Sequence, residues 1–280
     1  MTGLQWFSLF RETWASYQRH NAQWLAAALA YFAAFAVAPL IVVVVAIAGF
    51  FLHDRQHALN AIYQEIPGPG STALRAIVTT TVGRPRQGLI AEVAGWAIFV
   101  LAAIGLFSSL QFALNAAWDV QTQHLGLWKT IRQRAMSFLM VAVAAGLLLL
   151  SILANTAINA LSATLALGGG ASLTLLKATD FALSFAMVWL LFAVLFEYLP
   201  DARVYWRDVW IGAGLTAALF AIGQSLLGWY LGRQAIASTY GAFGSLVAFL
   251  LWANYSAQIV LFGAEFTHVF AERHEKLQSS

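Results

Sequence analysis

From His20 to His53 the chain runs for thirty-four residues without an Asp, Glu, Lys or Arg. Its middle, Leu25 to Leu52, reads LAAALAYFAAFAVAPLIVVVVAIAGFFL. A helix crosses the hydrocarbon core of a bilayer with about 20 apolar residues at roughly 1.5 Å each, so this run has length to spare. A helix on a water-soluble domain keeps a charged face toward solvent, and this one has none. Lipid, not water, is therefore the solvent in which the rest of the chain is read. The run is also too long for the core of a signal peptide, and it is read as retained.

Composition agrees, with 61% hydrophobic and 10% charged residues against roughly 45–50% and 25% in ordinary soluble domains. Further apolar segments follow the first, at 22–52, at about 89–117, 135–163, 178–199, 209–231 and 240–270. Trp118, Trp128, Tyr198, Trp206, Trp210, Trp229 and Tyr240 stand near their ends, where amphipathic rings suit the membrane–water boundary. Residues 1–20 place Phe7, Phe10, Trp14 and Tyr17 at steps of three and four, the pattern of a helix lying in the headgroup plane. The expected fold is all-α: residues 1–280 form one polytopic membrane helical bundle, with six transmembrane helices and an N-terminal interfacial amphipathic helix. In the first connection, Pro67-Gly68-Pro69-Gly70 forces a turn between two short amphipathic stretches.

Six spans put both termini on one side. Nine of the fifteen Lys and Arg lie in the termini and the second and fourth loops, so the positive-inside rule favours cytoplasmic termini. The same rule accounts for the net charge of +3 without invoking nucleic acid.

Two features inside the spans carry the functional expectation. Pro39 removes a backbone donor in the middle of the first span and marks a kink, or a hinge. Ala26, Ala30, Ala34 and Ala38 form a small-residue stripe beside it, suited to close helix approach and compatible with homo-oligomerisation. Polar side chains at membrane depth are costly and turn inward. Asn254, Gln258 and Glu265 share one face of the last span; Ser108, Gln111 and Asn115 share an arc of the second; Ser151, Asn155 and Asn159 form a row on the third. Asp180, Glu197, Gln224 and Ser225 add to these from the fourth and fifth; Glu197 and Glu265 stand close to predicted helix ends, where a place at the membrane surface is the alternative. Such groups either glue helices together, at about 0.6–2 kcal/mol per contact, or line a polar cavity.

Soluble-enzyme chemistry finds no support. With no Cys there is neither a disulfide framework nor a thiolate site. The histidines at 20, 53, 57, 124, 268 and 274 form no HExxH or HxH group. No phosphate-binding GxxxxGK[ST], no GxGxxG opening a helix after a strand and no GxSxG elbow occurs. No cofactor and no catalytic or metal residue is expected.

Three stretches together resemble the YihY/virulence factor BrkB family of bacterial inner-membrane proteins: LAAALAYFAAFAVAPL at 25–40, LQFALNAAWDV at 110–120 and YGAFGSLVAFLLWANYSAQIVLFGAEF at 240–266. The resemblance implies a six-helix plasma-membrane protein with cytoplasmic termini, and a link to resistance against serum killing. Members also carry a ribonuclease BN label. A zinc-dependent nuclease needs a dense ligand cluster such as HxHxDH, which this chain lacks, and its scattered basic residues make no nucleic-acid groove. The expected function is a transporter or flippase for lipid or amphipathic molecules, with membrane lipids as partners. Pro39 would act as the hinge and Gln111, Asn115, Asn254, Gln258 and Glu265 would line the path. The competing expectation is a non-transporting envelope scaffold.

Overall fold

A computed structural model describes residues 3–36, 89–120, 146–147, 150, 170–202, 204–233 and 242–278. Pro39, Ala38, the Pro-Gly turn and the polar row of the third apolar segment lie outside them. The described residues are helical, without a strand. Six helices carry the architecture: α1 (Gly3–Arg19), α2 (Ala22–Ala36), α3 (Leu89–Ala117), α4 (Gly170–Tyr198), α5 (Trp206–Arg233) and α6 (Ala242–Gln278).

Three of these are long and apolar enough to cross a membrane, over Phe181–Tyr198, Trp206–Leu227 and Leu246–Lys276. Their outer surfaces are apolar: Phe181, Leu226 and Leu251 are exposed, as are Leu101 on α3 and Trp24 on α2. Several polar side chains are buried instead, among them Gln111, Asn115, Thr216, Glu265 and Thr267. Greasy outside and polar inside is the arrangement expected where hydrocarbon replaces water.

Helix α6 is the axis. It packs against α5, α1 and α3, and α4 closes on α5 from the other side. The core is built largely from small residues, with Ala22, Ala26, Ala113, Ala117, Ala193, Ala213, Ala217 and Ala264 packed around Leu114, Phe196 and Leu261. Of the alanine stripe on the first span, Ala26 enters this core, while Ala30 and Ala34 meet Phe249 and Ala253 of α6.

The α5–α6 contact is a reciprocal lock. Thr216 donates its hydroxyl to the Gly212 carbonyl on its own helix (2.7 Å), and Thr267 does the same to Gly263 (2.7 Å). Each threonine covers the other helix's glycine: a Cβ on Gly212 would overlap Thr267 Oγ1, and a Cβ on Gly263 would overlap Thr216 Oγ1. Two Gly-x-x-x-Thr units thus clasp across the antiparallel pair, with both hydroxyls satisfied inside their own helices. Farther along, Gly223 leaves room for Tyr255 in the same way. On the other flank of α5, Trp189 of α4 lies over Gly214 and donates its indole N–H to the Trp210 carbonyl at 2.9 Å.

Helix α1 packs on α6 through Leu9, which contacts Phe266 and Phe270, and through Tyr17, whose ring lies 6.1 Å from that of Phe262. The buried face of α1 is Leu9, Thr13, Ser16 and Tyr17. The aromatic stripe therefore divides: Tyr17 turns inward, while Phe7 (73% exposed) and Trp14 (56%) face out. Arg273 ties the helix down with 2.6 and 2.9 Å contacts to the Glu12 carboxylate and a 3.0 Å bond to Ser8 Oγ. This pair is half in solvent, so Arg273→Ala is expected to cost only about 0.5–1 kcal/mol. It should quicken proteolysis within α1 and leave the rest of the bundle protected.

Candidate functional site

Both sharp turns next to the polar residues depend on short polar side chains in the left-handed conformation. Asn21 (φ 52°) ends α1, its N–H bonding the Gln18 carbonyl at 3.1 Å, and its own carbonyl starts α2 by accepting from Trp24 N–H at 2.9 Å. Asp119 (φ 51°) ends α3 in a Schellman arrangement: its N–H bonds the Ala116 carbonyl (3.2 Å) and Val120 N–H bonds the Asn115 carbonyl (2.9 Å). Asn and Asp tolerate this conformation better than other non-glycine residues.

The two turns meet over α6. His20, in the first, places Nδ1 2.7 Å from Glu265 Oε1 and Nε2 3.1 Å from Asp119 Oδ1. The imidazole so bridges a carboxyl with 0% side-chain exposure and one with 60%. Arg19 stands 3.9 Å from the outer oxygen of Asp119. Glu265 places Oε1 on His20, and the buried Ser16 hydroxyl of α1 also interacts with this carboxyl. Its Oε2 has no bond within hydrogen-bonding geometry, nor do Trp118 Nε1 and His268 Nδ1. His268 Nε2 points the other way, 3.5 Å from Glu272. Tyr17 flanks the site from α1; burial, and then the nearby Glu265 carboxylate, push its phenol above the usual range, so it stays neutral at physiological pH.

The last two turns of α3 extend the polar band toward α4 and α5. Asn115 clamps Asp201, just past the end of α4, at two points: its Oδ1 accepts from Asp201 N–H (2.8 Å) and its Nδ2 donates to the Asp201 carboxylate (3.0 Å). Gln111 Nε2 adds a longer 3.4 Å contact to the same carboxylate, and its Oε1 is buried and unpartnered. Removing a buried amide that satisfies two groups costs on the order of 1–3 kcal/mol. Asn115→Ala is accordingly expected to lower the thermal midpoint in detergent, and an unchanged midpoint would mean that the clamp carries no energy.

The five polar residues singled out from the sequence are thus distributed over three sets of partners. Gln111 and Asn115 hold the α4–α5 connection. Asn254 and Gln258, half-buried on α6, bond to each other at 2.6 Å. Glu265 bonds His20. Ser108, on the predicted arc of α3, is exposed. Sequence reasoning missed His20 and Asp119, which lie 245 and 146 positions from Glu265, and Asp201. Their one available signal was their place beside span ends that the topology puts at the same side. No group of three or more His, Asp or Glu among the described residues is arranged to hold a metal ion.

An apolar outer surface around a buried carboxyl, bonded to an imidazole that reaches an exposed carboxylate, defines a helical membrane protein. Its sequence matches the pattern of the Virulence factor BrkB family over residues 13–280, and the chain belongs to that family. It is similar to a UPF0761 membrane protein of Methylibium petroleiphilum, 31% identical over 68% of this chain and 47% of that protein. It also resembles one of Albidiferax ferrireducens (24% identical; 94% of this chain, 62% of the relative) and one of Mannheimia succiniciproducens (24%; 94% and 90%). The chain therefore spans between about half and nine-tenths of the length of these relatives. No solved structure matches it.

Proposed function

We propose that the protein is a transporter or flippase that moves lipid or amphipathic molecules across a bacterial inner membrane. In this reading it has six spans, both termini are cytoplasmic, and α1 lies at the lipid boundary with Phe7 and Trp14 toward the acyl chains. The observation that carries the proposal is Glu265: a fully buried carboxyl on the central helix, held by an imidazole that also reaches an exposed carboxylate. An inert anchor needs no such group, and ionisable side chains at membrane depth mark substrate or ion routes. Asn254 and Gln258 supply the half-buried polar surface farther along α6, and the hinge is assigned to Pro39. Membrane lipid is both solvent and candidate cargo.

The test is movement of a fluorescent phospholipid between leaflets of vesicles containing the purified protein. Wild type is expected to accelerate it. Glu265→Gln is expected to slow it on the order of tenfold, the equivalent of one lost hydrogen bond to a charged group. Equal rates for the two proteins would refute the assignment.

One observation favours a second reading, an envelope scaffold that moves nothing. The buried Asn115 amide is used to tie α3 to the α4–α5 connection at Asp201. On that reading wild-type vesicles show no acceleration, while the same substitutions still lower thermal stability.

A further inference from the structure

Three buried polar atoms without partners gather where α3 meets α6. Glu265 and His268 lie one turn apart on the same face of α6, and the rings of Trp118 and His268 are 5.0 Å apart, centre to centre. Glu265 Oε2, His268 Nδ1 and Trp118 Nε1 are each shielded from solvent and unbonded. Native proteins rarely leave one such atom unsatisfied, and three together indicate an occupant. The chemistry restricts what that occupant is. Trp118 offers an N–H, which donates and cannot ligate a cation. Glu265 offers an oxygen that accepts. A water molecule satisfies all three, accepting from Trp118 and donating to Glu265 and His268, and three partners is the usual complement of a buried water.

On its other side Glu265 meets His20, and through it Asp119 at the surface. We propose that Glu265 is a proton-binding site in exchange with the aqueous phase, loaded through His20 and completed by a water held between Trp118 and His268. The transfer balances without any other reactant. A proton arriving from the Asp119 side bonds to His20 Nε2, the Nδ1 proton passes to Glu265 Oε1 over 2.7 Å, and the ring changes tautomer. Release runs the same steps backward. The titratable and charged groups around the site are Tyr17 and Arg19 on α1, His20 in the turn, Asp119 in the turn after α3, and His268 and Glu272 on α6; Asp208 of α5 pairs farther along with His274. This inference does not require any substrate to move. Intact proton exchange with no lipid movement would remove the transport reading and leave this one standing.

Infrared spectroscopy of the full chain in phospholipid nanodiscs tests it through the carbonyl stretch of a protonated carboxyl. A band that titrates with pH, and that Glu265→Gln deletes, is expected. Transfer to deuterated buffer should shift the band quickly in wild type. In His20→Gln, which keeps a polar side chain but cannot shuttle, the shift should slow on the order of a hundredfold. Trp118→Phe keeps a ring and drops the N–H, and it should move the band's frequency without deleting it. If no titrating band is lost in Glu265→Gln, or if exchange in His20→Gln is as fast as in wild type, the site is not a proton relay. A band unmoved in Trp118→Phe overturns the water. The last two variants keep the test open should Glu265→Gln not fold.

Discussion

Valine at Gly212 or Gly263 is expected to prise α5 from α6 and leave little folded protein after detergent extraction. Each glycine lies under the threonine of the opposite helix, and even a single methyl carbon there would overlap a hydroxyl oxygen. Neither threonine can swing aside cheaply, because each hydroxyl is bonded to its own backbone one turn away. Overpacking of this kind costs about 1–3 kcal/mol where neighbours relax. Here the neighbour is fixed to a helix, so the upper end or beyond is expected. The reciprocity makes the cause testable by pairing. Gly212→Ala should be rescued by Thr267→Gly and not by Thr216→Gly, and Gly263→Ala by Thr216→Gly and not by Thr267→Gly. Rescue by either threonine change alike would show that the effect is general loosening, not this contact.

His20→Ala is expected to have the second large effect. The imidazole makes the 2.7 Å bond to a carboxyl that no solvent reaches, with the Ser16 hydroxyl as a second neighbour. Losing a hydrogen bond to a buried carboxyl typically costs about 1.5–3 kcal/mol. Most of that loss should return in His20→Ala/Glu265→Leu, where no stranded carboxyl remains and an apolar side chain of similar bulk fills the space. A double variant no more stable than His20→Ala would mean that the single change acts by cavity formation and not through Glu265. The same double variant should be stable and unable to load a proton, which separates folding from function at this site.

Much of this was legible in the sequence. Apolar runs announced the helices, and α3 covers the same residues as the second apolar segment, ending just before the turn at Trp118 and Asp119. Gln111, Asn115 and Glu265 stood out because a polar side chain among aliphatics has to turn inward, and all three are buried. Their partners were not legible. Periodicity reports which face of a helix a residue occupies and nothing about the helix it meets, so the His20–Glu265 bond across 245 positions was invisible. The Gly–Thr lock hid for a related reason: Gly212 and Thr267 are unremarkable until two antiparallel helices set one over the other. On α1 the aromatic stripe drew attention because it is the more hydrophobic feature. The contact face of α1 is the smaller and more polar one, Leu9, Thr13 and Ser16 with Tyr17, while Phe7 and Trp14 face out.

All of this depends on one end of the bundle being polar and wet on the side of both termini, with acyl chains around the remainder. Native cysteine is absent, so single cysteines can be introduced without background. Labelling of sealed, oriented membrane vesicles with a membrane-impermeant maleimide reads the arrangement directly. Asp119→Cys and Glu272→Cys are expected to react from the cytoplasmic side only, while Phe181→Cys and Leu226→Cys react from neither. Reaction of Asp119→Cys and Glu272→Cys from opposite sides, or ready labelling of Phe181→Cys, would contradict the account.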